Sequence, residues 1–248
     1  MLELINIRKS LGGQEILRGV NLKVKQAEKV VVIGRSGCGK SVMLRHIMGL
    51  LSPDAGKVIF EGTQLTGLGE EAWNPYRRKI GMLFQGAALF DSLSVFENLA
   101  FPLREEGEKD EKVLRGKVAE ALKIVSLSGT EEKMPAELSG GMKKRAALAR
   151  AIIRRPDLMM YDEPTTGLDP IVADSINRLI LHLGKMFGMA SIVVTHDMTS
   201  ARMVGDRIAY LHEGKIYYEG TPEQVDRCED PLVRDFVRGH ASGIDVTG

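Results

Sequence analysis

Residues 29 to 49 constrain the fold of this chain more than any other stretch. Lys29-Val-Val-Val-Ile33 is a short, continuous, β-branched run, the pattern of a strand buried on both faces of a parallel sheet. Gly34-Arg-Ser-Gly-Cys-Gly-Lys-Ser41 follows at once, and Val42-Met-Leu-Arg-His-Ile-Met-Gly49 then reads as a helix that stops at glycine. A buried strand feeding a helix through a glycine loop needs layers on both sides of a sheet, which is an α/β core. Two later runs, Asp157-Leu-Met-Met-Tyr-Asp162 and Ser191-Ile-Val-Val-Thr195, read as further core strands, with a long helical segment from Pro170 to about Phe187 between them.

The glycine loop fits the pattern G-x-x-x-x-G-K-[ST]. Between a strand and a helix, its backbone N–H groups and the positive end of the helix dipole can surround a polyphosphate. Nucleotide binding is therefore expected at Gly34, Arg35, Ser36, Gly37, Cys38, Gly39, Lys40, Ser41 and Val42. Lys40 is placed to reach the β- and γ-phosphates and the Ser41 hydroxyl to ligate Mg2+. Asp162 and Glu163 end a buried strand. A carboxylate in that position can hold Mg2+ through its water shell, and the next can polarise an attacking water.

Around these strands the patterning changes. Leu2 to Ile7 and Val20 to Val24 alternate in the manner of half-exposed antiparallel strands. Between about Asp91 and Pro156 amphipathic helical patterns take over, for example Lys112 to Ser126 and Met142 to Arg155. Ile208 to Leu211 and Lys215 to Glu219 flank Glu213-Gly214 as a hairpin, and Ala241 to Gly248 carry little apolar content and are expected to fray. The basic run Lys143-Lys144-Arg145, with Arg150, Arg154 and Arg155, reads as a solvated helix face. Leu89, Phe90, Leu93, Phe96 and Phe101 are expected to divide between helical core and a surface that receives a partner helix, with Phe96 and Leu99 in the core.

Composition narrows the function classes. The 248 residues carry 34 Lys plus Arg against 33 Asp plus Glu, are 44% hydrophobic, and have a net charge of +1. That excludes disorder and leaves no electrostatic case for a nucleic-acid partner. Cys38 and Cys228 lie far apart, which suits a reducing compartment. No secretory signal opens the sequence and no apolar run is long enough to span a membrane, so a cytoplasmic location is expected and any membrane role comes through a partner.

Leu138-Ser-Gly-Gly-Met142, followed by a helix, resembles the L-S-G-G-Q signature of the ATP-binding cassette (ABC) ATPases. Asp162-Glu-Pro-Thr-Thr-Gly-Leu-Asp169 resembles that family's acidic strand running into its D-loop, Phe84-Gln85 its Q-loop, and Thr195-His196-Asp197 its switch histidine. The resemblance covers roughly residues 2 to 225, with each motif in the family's order. It implies a P-loop NTPase (RecA-like) α/β core with an N-terminal antiparallel β subdomain and an inserted helical subdomain. Within a single cassette of residues 1–240, the core and β subdomain would occupy 1–86 and 157–225 and the helical signature subdomain 87–156. Residues 226–248 would form a C-terminal helix and tail.

The resemblance also implies ATP with Mg2+ and a head-to-tail dimer, each ATP lying between the phosphate loop of one copy and the signature of the other. A single copy would then be inactive. Ser139 and the N–H groups of Gly140 and Gly141, at a helix start, form the second anion site. By the same resemblance Glu163 is the general base or water polariser and His196 contacts the γ-phosphate. Gln85 senses Mg2+ and water, making Ser41, Gln85 and Asp162 the metal residues, while Asp169 belongs to the nucleotide site and communicates across the dimer. Two positions depart from the pattern. Met142 replaces the signature glutamine, and Leu11, before Gly12-Gly13, stands where many members stack an aromatic ring on adenine.

Gly81 to Arg104 and Met134 to Arg150, including the signature methionine, look most like the ATPases of bacterial Mla/Mce-type lipid transporters. Those imply transmembrane permease subunits, an extracytoplasmic lipid-binding (MCE) component, a small cytoplasmic regulator, and a peripheral place on the cytoplasmic face of the inner membrane. The alternatives are an ABC ATPase of another importer or exporter, or a soluble non-transport ABC ATPase. A P-loop GTPase would need an N-K-x-D guanine-reading motif, and none is present.

Overall fold

The computed structural model describes residues 1 to 239; the expected fraying segment, Ala241 to Gly248, lies outside the described residues. The chain divides into two compact units, Met1–Leu68 together with the chain from Ile192 onward, and Gly69–Ser191. The first unit opens with β1 (Leu2–Leu11), β2 (Gln14–Val24), β3 (Lys29–Ile33), α1 (Lys40–Ile47), β4 (Ala55–Phe60) and β5 (Thr63–Gln64). The second contains α2 (Glu70–Arg77), β6 (Ile80–Leu83), α3 (Val95–Glu105), α4 (Glu111–Ile124), α5 (Gly140–Ile152), β7 (Leu158–Asp162) and α6 (Pro170–Phe187). The remaining elements are β8 (Ala190–Thr195), α7 (Met198–Val204), β9 (Arg207–His212), β10 (Lys215–Gly220), α8 (Pro222–Asp226) and α9 (Pro231–Arg238).

In the first unit an antiparallel sheet runs in the order β2-β1-β4-β5. The alternation of β1 changes phase once, and the backbone shows why. Asn6 adopts φ 50° and the register with β2 shifts between Leu4 and Ile7, so Ile7 returns to the buried face that Leu2 and Leu4 occupy. The second sheet of this unit runs β10-β9-β3-β8. β3 pairs in parallel with β9 from Val30↔Arg207 to Ile33↔Tyr210, and Val30, Val31, Val32 and Ile33 are fully buried, as the β-branched run requires. β9 and β10 form the expected hairpin, with φ 45° at Glu213 and 75° at Gly214, the left-handed pair that matches strand twist.

In the second unit β6 and β7 pair in parallel, Ile80↔Leu158 to Leu83↔Tyr161. Helices then replace strands from Val95 to Ile152, as the periodicity indicates. Helix α6 is set by its ends. The Asp169 carboxylate accepts from the Ile171 and Val172 amides at 3.0 Å each, Pro170 fits the first turn, and Gly188 at φ 63° closes it. Ile176, Leu179, Ile180 and Leu183 form its buried stripe, each contributing about 1.5–3 kcal/mol of apolar burial. Phe96 and Leu99 are core, as expected.

Candidate functional site

In the first unit the phosphate loop joins the end of β3 to the start of α1. Its crest, Arg35 to Gly37, is exposed and its ends are buried. Gly39 sits at φ 108° as the N-cap of α1, and a Cβ there would lie 2.7 Å from Leu17 Cδ2, so only glycine fits. Having no side chain, Gly39 leaves the first turn of α1 without a side-chain cap. Lys40 is buried and donates from Nζ to the carbonyls of Gly34 (2.8 Å) and Arg35 (3.1 Å), which folds its ammonium over the loop. Ser41 is exposed beside it, while Cys38 and Val42 are half-buried.

β8 is the hydrogen-bonded neighbour of β3, so His196, which follows β8, belongs to the same unit as the loop. The His196 side chain is exposed. Asp197 anchors the next helix. Its carboxylate accepts from the Thr199 and Ser200 amides at 3.0 Å each and from the Ser200 hydroxyl at 2.5 Å. Burial pushes this carboxyl up, but the Ser200 hydroxyl, the two amides and the nearby His196 outweigh it and hold the group below the usual carboxylate range.

The second unit carries the acidic strand, the Q-loop and the signature. β7 is buried throughout, and Asp162 and Glu163 at its end are 8% and 9% exposed. Glu163 has φ 49°, a left-handed conformation that costs a side-chain-bearing residue about 1–2 kcal/mol. Thr166 steadies it, donating from Oγ1 to Glu163 Oε2 at 3.1 Å and from its amide to the Glu163 carbonyl at 3.3 Å. Gln85 lies exposed after β6, and the loop continues through Ala87 and Ala88 at φ 64° and 51°, two more left-handed residues. Ser139 is the N-cap of α5, its Oγ accepting from the Met142 amide at 3.3 Å, with Gly140 next to it at the surface. A Cβ at Gly141 would stand 2.6 Å from Val172 Cγ1, so this glycine lets the first turn of α5 lie against the first turn of α6, beside Asp169.

The basic run of α5 is not a solvated face. Lys144 is only 5% exposed, and its Nζ donates to the carbonyls of Gln85 and of Glu163 (3.4 Å). Arg145 bonds the Val125 carbonyl and Ser175 Oγ at 2.7 Å each, Arg150 the Ala87 carbonyl at 3.3 Å, and Arg154 the Pro102 carbonyl at 2.6 Å. Arg155 behaves as expected, in an exposed pair with Glu120. Helix periodicity overrides charge here. Position 144 shares its face with Leu148 and Ile152, so its head must find carbonyls inside the unit. That spacing was the sequence signal for Lys144. Thr166 stands within the acidic-strand motif and Asn98 just beyond the Gln85 loop, but residue type alone marked neither, because each role depends on the turn its own segment adopts.

Asn98 organises the loop after Gln85. It is fully buried, its Oδ1 accepts from the Phe90 amide (2.8 Å), and its Nδ2 donates to the carbonyls of Phe90, Leu93 and Ser94 at 3.0–3.1 Å. The loop so held presents Phe90, 45% exposed, its ring tilted at 58° against that of the exposed Phe101 with centroids 5.1 Å apart. Phe84 is exposed as well.

Comparison with known proteins supplies the family. The family model for ABC transporters matches residues 17–166. The chain is 41% identical to the chloroplastic protein TRIGALACTOSYLDIACYLGLYCEROL 3 of Arabidopsis thaliana, over 98% of this chain and 75% of that protein. It is 40% identical to the intermembrane phospholipid transport system ATP-binding protein MlaF of Haemophilus influenzae, over 98% of this chain and 92% of the relative. Among solved structures, the dimeric post-hydrolysis state of the ATP-binding cassette MJ0796 bound to ADP and Pi superposes with a TM-score of 0.82 at 34% identity, covering 90% of this chain and 99% of that one. With the phosphate loop, acidic strand and signature each in its structural setting, the chain belongs to the ABC transporter family, as one of its ATP-hydrolysing cassettes.

Proposed function

We propose that this cassette powers the movement of phospholipid across a cell envelope, as the peripheral ATPase on the cytoplasmic face of the inner membrane. The observation that carries the reading is the 40% identity to the Haemophilus MlaF protein across almost the full length of both chains. Two copies associate head to tail beneath transmembrane permease subunits; the dimeric state of the similar MJ0796 cassette supports the pairing of copies. An extracytoplasmic lipid-binding MCE component and a small cytoplasmic regulator complete the assembly. The exposed Phe84, Phe90 and Phe101 supply an apolar surface for a permease helix. Among the described residues no helix is long and apolar enough to cross a membrane, so docking of this kind is how those residues would meet the bilayer machinery.

At the nucleotide site the phosphate-loop amides and Lys40 hold the ATP phosphates. Residues suited to Mg2+ are Ser41, Gln85 and Asp162, one hydroxyl, one carboxamide and one carboxylate. Each offers an oxygen of the kind Mg2+ takes, an ion that usually keeps water and substrate phosphate as its other ligands. When bound, Mg2+ neutralises phosphate charge. Glu163, its carboxylate steadied by Thr166, polarises the attacking water, and His196 contacts the γ-phosphate. Ser139 with the first-turn amides of α5 engages the ATP held by the second copy, and Asp169 carries the state of one site to the other.

The test is isolation of the tagged chain with its membrane complex, followed by ATPase assay and lipid mass spectrometry. We expect co-purifying permease subunits and phospholipid, and turnover that Glu163→Gln abolishes while ATP stays bound. Wild-type turnover by that variant, or a complex free of phospholipid, would count against the proposal.

A further inference from the structure

The chemistry assigned above uses the two ends of the signature segment and the acidic strand but leaves Lys144 unexplained. It lies on α5 five residues after Ser139, about 7.5 Å along the helix axis. Its ammonium is buried, and burial drives its pKa down against the pull of the Asp162 and Glu163 charges. Burying an ammonium is expensive unless it is hydrogen-bonded, and here both bonds go to main-chain carbonyls of residues assigned to the reaction, Gln85 and Glu163. Both acceptors also sit beside strained backbone. Glu163 is itself left-handed, and Ala87 and Ala88 follow Gln85 by two and three residues. Strained segments persist only where surrounding contacts over-determine them. Lys144 supplies such a contact to both at once, from the helix whose N-cap is Ser139.

We propose that Lys144 is a positioning residue that ties the Gln85 loop and the Glu163 turn to the signature helix, so that engagement of one ATP by Ser139 sets the geometry of the groups that turn over the other. The inference rests on the reading of the site given above. In that reading Ser139 serves the nucleotide of the second copy, whereas Gln85 and Glu163 serve the chain's own. A tether between them transmits occupancy across the two sites without touching either nucleotide.

Lys144→Met keeps the stem and removes the donor; Lys144→Arg keeps the charge and offers a fork of N–H donors. In the isolated complex, Lys144→Met is expected to lower kcat by about 10- to 100-fold, the scale of a small misplacement of reacting groups, with ATP affinity by calorimetry unchanged and the Hill coefficient for ATP reduced to about 1. Lys144→Arg should recover at least about a third of the wild-type kcat, since its fork can reach both carbonyls. If Lys144→Met does not yield folded complex, Lys144→Leu, equally without a donor, is measured in its place with the same split expected. A wild-type kcat in the donorless variant overturns the proposal. So does a kcat loss matched by equal loss of ATP affinity and melting temperature, or an arginine variant as impaired as the methionine one. Glu163→Gln run alongside separates the two levels: normal hydrolysis by that variant sinks the site reading, whereas its expected block combined with a normal Lys144→Met sinks only the tether.

Discussion

Asn98→Ala tests how the loop beyond Gln85 is held. Truncation removes all the bonds of the Asn98 carboxamide, but not every partner is stranded. The Ser94 carbonyl keeps the helical bond from the Asn98 amide (2.9 Å), and the Phe90 carbonyl keeps the Leu93 amide (3.1 Å). The Phe90 amide and the Leu93 carbonyl lose the Asn98 bonds of 2.8 and 3.0 Å, while Arg150, which loses a 3.4 Å bond to Asn98 Oδ1, keeps the Ala87 carbonyl. At about 1–2 kcal/mol for each such group, the variant should lose roughly 2–4 kcal/mol, or about 4–16 °C in melting temperature for a chain of this size. Ser94→Ala in the same turn removes one N-cap bond, to the Glu97 amide at 3.2 Å, and should cost only about 1 kcal/mol. Differential scanning fluorimetry of both variants, with and without ATP, gives the ranking. An Asn98→Ala melting temperature within about 2 °C of wild type, or a larger loss from Ser94→Ala, would refute the account of the loop.

Gly141→Ala should destabilise by about 1–3 kcal/mol through the Val172 contact, and Val172→Ala in the same chain should recover much of that; additive losses in the double variant would show that the glycine is not needed for packing. Asp197 has a depressed folded-state pKa, so the stability it lends α7 is complete above the unfolded carboxylate pKa of about 4 and is lost as pH falls through the folded value. The melting-temperature gap between wild type and Asp197→Ala should therefore be constant from pH 7 to about 5 and shrink towards pH 3; a gap that widens on acidification contradicts the sign.

Much of the site was legible because it is built from short contiguous segments. The strand Lys29–Ile33, the limits of α6 and the β9–β10 hairpin follow from apolar runs, a capping aspartate with proline, and a turn dipeptide. β4 and β6 were not legible. Gly56 and Gly81 interrupt their apolar runs, and both strands are set by partners far away in sequence. The basic helix misread for a related reason. Charge count suggested solvent, while the face shared with Leu148 and Ile152 put Lys144 inside, and only the carbonyls waiting there make that tolerable.

By itself the sequence determined the chemistry on offer: a glycine loop with Lys40 and Ser41, two carboxylates closing a core strand, and a capped signature helix. These are local properties of backbone freedom, helix ends and side-chain type, complete within a few residues. The tertiary structure decided how those groups are held. Gly141 yields room to Val172, and Lys144 bonds carbonyls 19 and 59 residues away. Such contacts depend on which faces fold together, and buried polar atoms must be satisfied wherever the fold places them.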